Sequence, residues 1–378
     1  MEINRLMLYV IVIWEMFLAF IKRNSKIVSF VILLTLFLIA AFSYGIADSE
    51  IYLGRYNHYD VAFLYDKTEP LYTWVVKMAN MVNMPYRLFL GLEYLFILAC
   101  FSFFVKKYTK KYNFVLFLYI IWPFCRDVAV LRTTLGAAFV YIGFSYLLRG
   151  GKRNLIIYSI CVLLGGLFHY GMLFFFIMIP IEIVKSEETL AKNKLFRLFL
   201  ILFIVEIVVF RVFPQLPFTG TLMNKINFVL ERSVNGNSLV TAPGALRTLF
   251  MFLIYYFLHR KVLHKLKASN DQLHIAMSEK IFYINSFVLL IIPVLSYIPD
   301  LARIQQCVAL LSYVEFSWYF SKTVKANVIK KKELIFYGLC IGYATIYLFI
   351  IVLKTDQFET VFRALFENNL LNKYFWFS

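Results

Sequence analysis

The 30 residues LIIYSICVLLGGLFHYGMLFFFIMIPIEIV, at positions 155–184, decide the fold class of this chain. Only His169 and Glu182 in this stretch can carry a charge. A membrane-spanning helix needs about 20 apolar residues, so the stretch is too long for one helix. Glycines and the histidine interrupt it within Gly165-Gly166-Leu167-Phe168-His169-Tyr170-Gly171. The pattern therefore predicts two consecutive spans, at 154–169 and 170–184, with His169 at the break.

The rest of the chain has the same character. Of its 378 residues, 61% are hydrophobic and only 16% are charged, whereas a soluble domain carries about 25% charged residues. A soluble enzyme, a secreted disulfide scaffold and a disordered chain are excluded. The sequence predicts an all-α, polytopic integral membrane helix bundle with about 12 transmembrane helices. We expect the first run to be a retained span, because no cleavage site of small residues follows it.

The predicted spans lie at 5–21, 27–46, 86–105, 112–130, 131–148, 154–169, 170–184, 195–213, 245–259, 281–298, 301–320 and 333–353. Basic residues concentrate in short loops at 22–26, 106–111, 149–153, 185–197, 260–280 and 322–332. Because Lys and Arg collect in cytoplasmic loops, a path with both termini outside places all these clusters in the cytoplasm. The net charge of +17 is then explained without a nucleic-acid partner.

This topology requires the amphipathic segment 70–84 to lie on the outer surface without crossing. We expect one transmembrane domain over 1–353, with outer loops at 47–85 and 214–243. The loop at 214–243 is longer than most connections, which favours a lid or a binding role. Residues 354–378 carry balanced charges and suggest an interfacial segment.

Several ionisable residues are predicted to lie at one level, near the outer membrane surface. An ionisable side chain within a span is costly, so each needs a reason, although an arginine at a helix end can simply reach the interface. Arg126 and Asp127 could be a self-neutralising pair. Arg132 lies about three helical turns from Gly143, on a face shared with Gly136, which permits close approach of a neighbouring helix or a ligand. The residues at this level are Arg126, Asp127, Arg132, His169, Arg247, Asp300 and Arg303.

His169 is the first candidate for a general base, because the ordinary pKa of imidazole lies near 6.5. Glu69, which precedes Pro70 in the segment that does not cross, is the second. The alternative for His169 is a hydrogen-bonded core residue. We interpret the glutamates within apolar runs as structural partners for the bundle: Glu15, Glu93, Glu182, Glu206 and Glu315.

Other chemistries lack the residues they need. No pair of histidines has the spacing of metal ligands, and the five cysteines are scattered, which indicates packing. Phosphate-binding glycine loops, dinucleotide signatures and nucleophile elbows are absent from the sequence, so we expect no cofactor. Guanidinium groups at one membrane level match a phosphate or pyrophosphate, and a lipid-linked sugar delivers pyrophosphate at that depth.

Short patches of this sequence resemble the EpsG-like branch of the Wzy-type polysaccharide polymerases over roughly residues 40–320. The patches are Asp48 with Tyr52 and Tyr56, then Glu69-Pro70-Leu71-Tyr72, Leu131-Arg132, Leu167-Phe168-His169 and Leu301-Ala302-Arg303. The family often has glutamine where this chain has Thr133.

The resemblance implies a glycosyltransferase that joins undecaprenyl-pyrophosphate-linked repeat units at the outer face of the bacterial cytoplasmic membrane. We expect Arg132, Arg303 and Arg126 to hold the pyrophosphate. We expect Asp48, Tyr52 and Tyr56 to contact sugar or to pair with an arginine. Flippase and chain-length regulator proteins are further partners to expect. A ligase, an acyltransferase and a flippase of lipid-linked oligosaccharide are the alternatives.

Overall fold

A computed structural model describes residues 2–58, 69–183, 189–212, 241–293, 295, 301–320, 331–353, 355 and 357–374. Within these residues the secondary structure is helical and contains no strand, which confirms the all-α fold class. The helices in chain order are α1 (Glu2–Ile21), α2 (Lys26–Phe42), α3 (Ser49–Asn57), α4 (Pro70–Met81), α5 (Tyr86–Tyr108), α6 (Tyr112–Ile121), α7 (Phe124–Ala129), α8 (Leu131–Leu147), α9 (Lys152–Phe168), α10 (Thr189–Val212), α11 (Thr241–Ala268), α12 (Gln272–Val288), α13 (Ala302–Gln306), α14 (Ala309–Ser317), α15 (Lys331–Leu348), α16 (Ala364–Glu367) and α17 (Leu371–Tyr374). A 3₁₀ helix, Tyr170–Ile183, lies between α9 and α10.

Three helices in the described part of the chain are long and apolar enough to cross a membrane: Tyr86–Tyr108, Gln272–Ile291 and Lys331–Leu353. Shorter apolar helices accompany them. The number of crossings therefore stays a prediction.

Several predicted runs have different bounds in the structure. The run at 112–130 is broken at Trp122-Pro123 into α6 and α7, because proline cannot continue a helix. The run at 301–320 is divided into α13 and α14, and α12 begins nine residues before the predicted start at 281. The predicted outer loop at 214–243 lies almost entirely outside the described residues.

The segment predicted not to cross forms α4. Its 12 residues span about 18 Å, which is well short of the hydrocarbon thickness of a bilayer. Tyr72, Val76 and Ala79 are buried, whereas Trp74 and Met78 are exposed. The helix is therefore amphipathic, with one face packed on the bundle.

Helices α8 and α9 are antiparallel and approach to backbone contact. A Cβ atom on Gly136 would lie 2.8 Å from the carbonyl oxygen of Gly165, and one on Gly165 would lie 2.7 Å from the carbonyl oxygen of Gly136. Further along, a Cβ atom on Gly143 would lie 3.1 Å from the Cβ atom of Cys161. The narrow face predicted on α8 is thus filled by a neighbouring helix.

Lys280 of α12 contacts the turn that joins α8 to α9, at the end of the pair that the basic loops predict to be cytoplasmic. Its Nζ atom donates to the carbonyl oxygen of Leu147 at 3.3 Å and pairs with Glu182 Oε2 at 3.4 Å. The other carboxylate oxygen of Glu182 accepts from the backbone N–H of Gly151, whose positive φ of 96° favours glycine. These contacts fix the turn between α8 and α9 against the 3₁₀ helix.

Residues near the C-terminus pack on the opposite end of the bundle. The side-chain amide of Asn369 donates to the carbonyl oxygen of Ile39 at 2.9 Å. The backbone N–H of Leu370 donates to the carbonyl oxygen of Phe42 at 3.0 Å. These bonds satisfy carbonyl groups that the end of α2 leaves without helical partners. The exposed Arg363 pairs with Glu359 and Glu367 in the same segment.

We expect Gly165→Ala to lower the free energy of unfolding by about 1–3 kcal/mol, because its methyl group would overlap the backbone of α8. The measurement is a thermal melt of the purified protein in detergent. Gly338→Ala is the matched control, because a Cβ atom there meets nothing within 4 Å. That variant should melt at or above the wild-type temperature. Equal melting of Gly165→Ala and wild type would contradict the backbone contact.

Candidate functional site

Glu69 lies at the centre of a cluster of three predicted site residues. It directly precedes Pro70, the first residue of α4, and only 6% of its surface is exposed. Its Oε2 atom forms an ion pair with Nη1 of Arg132, and its Oε1 atom lies 2.7 Å from Nδ1 of His169. One carboxylate therefore joins an arginine and a histidine from two other helices.

The crossing of α8 and α9 explains why Arg132 meets His169. Gly136 opposes Gly165, and the two helices are antiparallel. Four residues before Gly136 is Arg132, and four residues after Gly165 is His169. Since one helical turn contains about 3.6 residues, both side chains lie one turn beyond the backbone contact, on the facing sides of the pair.

His169 occupies the break that the sequence predicts. Helix α9 ends at Phe168, the 3₁₀ helix begins at Tyr170, and His169 itself is extended with φ −155° and ψ 117°. When the proton is on Nδ1 the imidazole donates to Glu69, which leaves Nε2 as the acceptor. A Cβ atom on Gly171 would lie 3.3 Å from Nε2, so the glycine keeps that edge of the ring uncovered.

Arg132 lies in the first turn of α8 against two tyrosine rings. Its guanidinium carbon is 5.7 Å from the ring centroid of Tyr52 and 6.0 Å from that of Tyr72. Burial raises the pKa of both phenols, so the rings stay neutral. The tyrosines give the cation a favourable π-face without adding negative charge.

The three predicted sugar-binding residues are placed differently. Tyr52 contacts Arg132, and Asp48, which directly precedes α3, acts electrostatically on the Tyr52 hydroxyl. Tyr56 instead donates a hydrogen bond to the carbonyl oxygen of Met84 and packs on the rings of Tyr86 and Phe89. Tyr56 therefore joins α3 to the start of α5.

Arg126 and Arg303 belong to a second group of residues. Both act electrostatically on the thiol of Cys307. Arg126 is on α7 and Arg303 on α13, and the two helices are joined by a hydrogen bond from Gln306 to Asp127. The other oxygen of Asp127 accepts from Tyr119 at 2.9 Å. Asp127 thus accepts hydrogen bonds on both oxygens, and its sequence neighbour Arg126 also acts on it electrostatically.

Arg247 is close to this second group. Its neighbour Thr248 accepts a hydrogen bond from Gln305 at 3.3 Å through its backbone oxygen, and Arg247 acts electrostatically on Tyr347. Sequence reasoning placed Arg247 at the same level but gave it no role. The role of Tyr72 under Arg132 was also missed, and only its place in the Glu69-Pro70-Leu71-Tyr72 patch could have signalled it.

Over the described residues, no group of three His, Cys, Asp or Glu side chains could hold a metal ion. The five cysteines are all free and buried.

The sequence profile of the EpsG family matches residues 26–364. The chain belongs to the EpsG family. This family consists of Wzy-type polysaccharide polymerases, so the chain is a polysaccharide polymerase-like membrane protein. Comparisons with curated proteins and with solved structures found no match.

In this EpsG-family protein an apolar groove of about 520 Å³ lies beside the cluster. Its wall includes Leu135, which follows Arg132 by three residues on α8, and Phe168, which precedes His169. Helix α4, which begins after Glu69, forms another wall through Val75 and Ala79. The groove is therefore lined by the same helices that position the polar cluster.

We expect Glu69→Gln to destabilise the protein by about 1–3 kcal/mol, because Arg132 and His169 would lose a charged partner. A thermal melt in detergent measures the change. Glu359→Gln, in the exposed contact with Arg363, is the control and should leave the melting temperature unchanged. If the two variants melt alike, Glu69 does not hold the cluster together.

Proposed function

We propose that this protein is a membrane glycosyltransferase that polymerises undecaprenyl-pyrophosphate-linked repeat units into a surface polysaccharide. The observation that carries the proposal is the contact of Glu69 with both Arg132 and His169. It combines a candidate proton acceptor with a candidate anion-binding group. Membership of the EpsG family supports the choice of polymer chemistry.

His169 is the proposed general base. The Glu69 carboxylate favours the tautomer with the proton on Nδ1, which directs the lone pair of Nε2 to substrate. Nε2 accepts the proton of an acceptor sugar hydroxyl as that oxygen attacks the anomeric carbon of the donor sugar. The bond from the anomeric carbon to the pyrophosphate oxygen breaks, and undecaprenyl pyrophosphate leaves with the electron pair.

The arginines are proposed to stabilise the leaving pyrophosphate. Negative charge develops on its oxygen as the glycosidic bond breaks, and fixed cations at that place lower the barrier. A guanidinium group has five N–H donors in a planar fork, so Arg132 can serve both Glu69 and a phosphate oxygen. Arg126 and Arg303 are proposed to hold the distal part of the pyrophosphate.

The proposed site faces the outer side of the bacterial cytoplasmic membrane. The basic loops support this orientation, because the turn between α8 and α9 contains Arg149, Lys152 and Arg153 at the end opposite Arg132. Lipid-linked units must first be moved across the membrane, which makes a flippase a partner. A chain-length regulator is a second proposed partner.

The test is polymer formation by the purified protein in lipid vesicles, supplied with a synthetic polyprenyl-pyrophosphate repeat unit. Wild type should produce a ladder of products, whereas His169→Asn and Arg132→Gln should each reduce its rate at least about 100-fold. His264→Asn and Arg363→Gln are matched controls at exposed positions and should retain the wild-type rate.

Each other outcome corresponds to a different function. Movement of labelled lipid between leaflets without a ladder would make the protein a flippase. Transfer of one finished glycan to a different acceptor would make it a ligase, and transfer of an acyl group would make it an acyltransferase. A ladder retained in His169→Asn but lost in Glu69→Gln would keep the polymerase and reassign the base.

A further inference from the structure

Glu93 has an environment unlike those of the other buried glutamates. It is 6% exposed, and neither oxygen of its carboxyl group has a hydrogen-bond partner among the described residues. Glu315, by contrast, accepts from Tyr255 at 2.8 Å and lies 2.6 Å from Nδ1 of His259. The sequence-based interpretation of Glu93 as a structural partner is therefore not matched by any contact.

The Glu93 side chain lines the apolar groove beside the polar cluster. The rest of the wall is apolar and includes Ala79, Val82, Leu92, Phe96 and Phe139. A buried polar group without a partner costs at least about 1–3 kcal/mol, so a carboxyl group in this wall needs a compensating ligand. An apolar surrounding also favours the uncharged acid, whose O–H can donate a hydrogen bond.

Packing between α5 and α8 gives the depth of Glu93 relative to the cluster. Phe96 of α5 packs on Phe139 of α8 at 5.3 Å, and Tyr108 donates to the carbonyl oxygen of Ser145, so the helices are parallel. Glu93 precedes Phe96 by three residues, whereas Arg132 precedes Phe139 by seven residues. Because a helix rises about 1.5 Å per residue, Glu93 lies about 6 Å, or one turn, deeper in the bundle than Arg132. Because helical side chains lean toward the N-terminus, the carboxyl group points back toward the level of Arg132.

Tyr72 connects the two polar groups. The Tyr72 ring lies under the Arg132 guanidinium, with 6.0 Å between the ring centroid and the guanidinium carbon, and Glu93 lies near the Tyr72 hydroxyl group. The groove also has an exposed rim, which includes Val82 and Leu92. A ligand that fits this shape has a long apolar chain in the groove and an oxygen-rich anionic head at Arg132.

We propose that the groove between α4, α5 and α8 binds the polyisoprenoid chain of the donor lipid, with Glu93 donating a hydrogen bond to the phosphate oxygen nearest the chain. This inference rests on the proposed polymerase function and assigns the donor lipid a place beside the cluster. Glu93 is a specificity-determining residue here. It makes the groove select a phosphorylated isoprenoid over a plain hydrocarbon.

The test measures lipid binding without glycosyl transfer. The purified full-length protein in detergent is titrated with undecaprenyl phosphate or with squalene, and bound lipid is counted by native mass spectrometry. Wild type should prefer undecaprenyl phosphate, and Glu93→Leu should reduce that preference about fivefold or more, the effect of about one hydrogen bond. Glu93→Gln keeps an N–H donor and should stay within about twofold of wild type.

Two further variants and a control separate the groove from general effects. Ala79→Phe should weaken the binding of both lipids, because its ring would fill the groove. Leu92→Trp, at the exposed rim, should also weaken the binding of both lipids, and it changes no buried position. Glu15→Leu is the matched control, since Glu15 is a buried acid on α1 that accepts from Thr35. It should leave the preference for undecaprenyl phosphate unchanged.

An unchanged preference in Glu93→Leu, or unchanged binding in both groove variants, overturns the proposal. The polymer ladder is scored separately on the same preparations. If the protein makes a ladder but its preference for undecaprenyl phosphate does not depend on Glu93, the proposed lipid site is wrong and the polymerase function stands. Binding that depends on Glu93, without a ladder, keeps the lipid site and removes the polymerase function.

Discussion

The backbone contact between Gly136 and Gly165 is the constraint on which the candidate site depends. Each glycine would place a Cβ atom within 2.8 Å of the carbonyl oxygen of the other. Small residues allow membrane helices to pack at such short distances, where dispersion contacts replace the missing hydrophobic drive. With the two helices this close, the next turn brings the guanidinium of Arg132 beside the imidazole of His169.

Arg132 and His169 are brought together in this way, and Glu69 contacts both of them from outside the helix pair. It reaches the pair because α4 packs on the bundle through Tyr72 and Val76. Arg132 is fixed by the Glu69 ion pair and by Tyr52 and Tyr72 on its face. The packed helices thus fix the positions of the candidate site residues, and these polar residues lie at the helix ends.

The sequence was sufficient to predict the helical class, the break at His169 and the narrow face on α8. Each follows from local chemistry: apolar composition, glycines that interrupt a run, and the helical period. The sequence also named Glu69, Arg132 and His169, but as separate candidates. Their contacts with Glu69 join residues that are 63 and 100 positions apart in the chain, which no local pattern specifies.

The same limit explains what sequence reasoning missed. Arg126 acts electrostatically on its sequence neighbour Asp127, but the hydrogen bonds of Asp127 to Gln306 and Tyr119 could not be read from the sequence. The apolar run at 112–130 was predicted as one span although Pro123 lies within it, and the structure divides it into two helices at Trp122-Pro123. Glu93 resembled other buried glutamates in sequence, and only its lack of partners in the structure distinguishes it.

The most direct test of the account is an electron cryomicroscopy structure of the protein with a polyprenyl-pyrophosphate repeat unit bound. The account predicts pyrophosphate oxygens within hydrogen-bonding distance of the Arg132 guanidinium and a sugar hydroxyl at Nε2 of His169. It also predicts that Glu69 remains in contact with both residues. A pyrophosphate bound away from Arg132, or a His169 ring that stays covered by protein while substrate binds elsewhere, would contradict it.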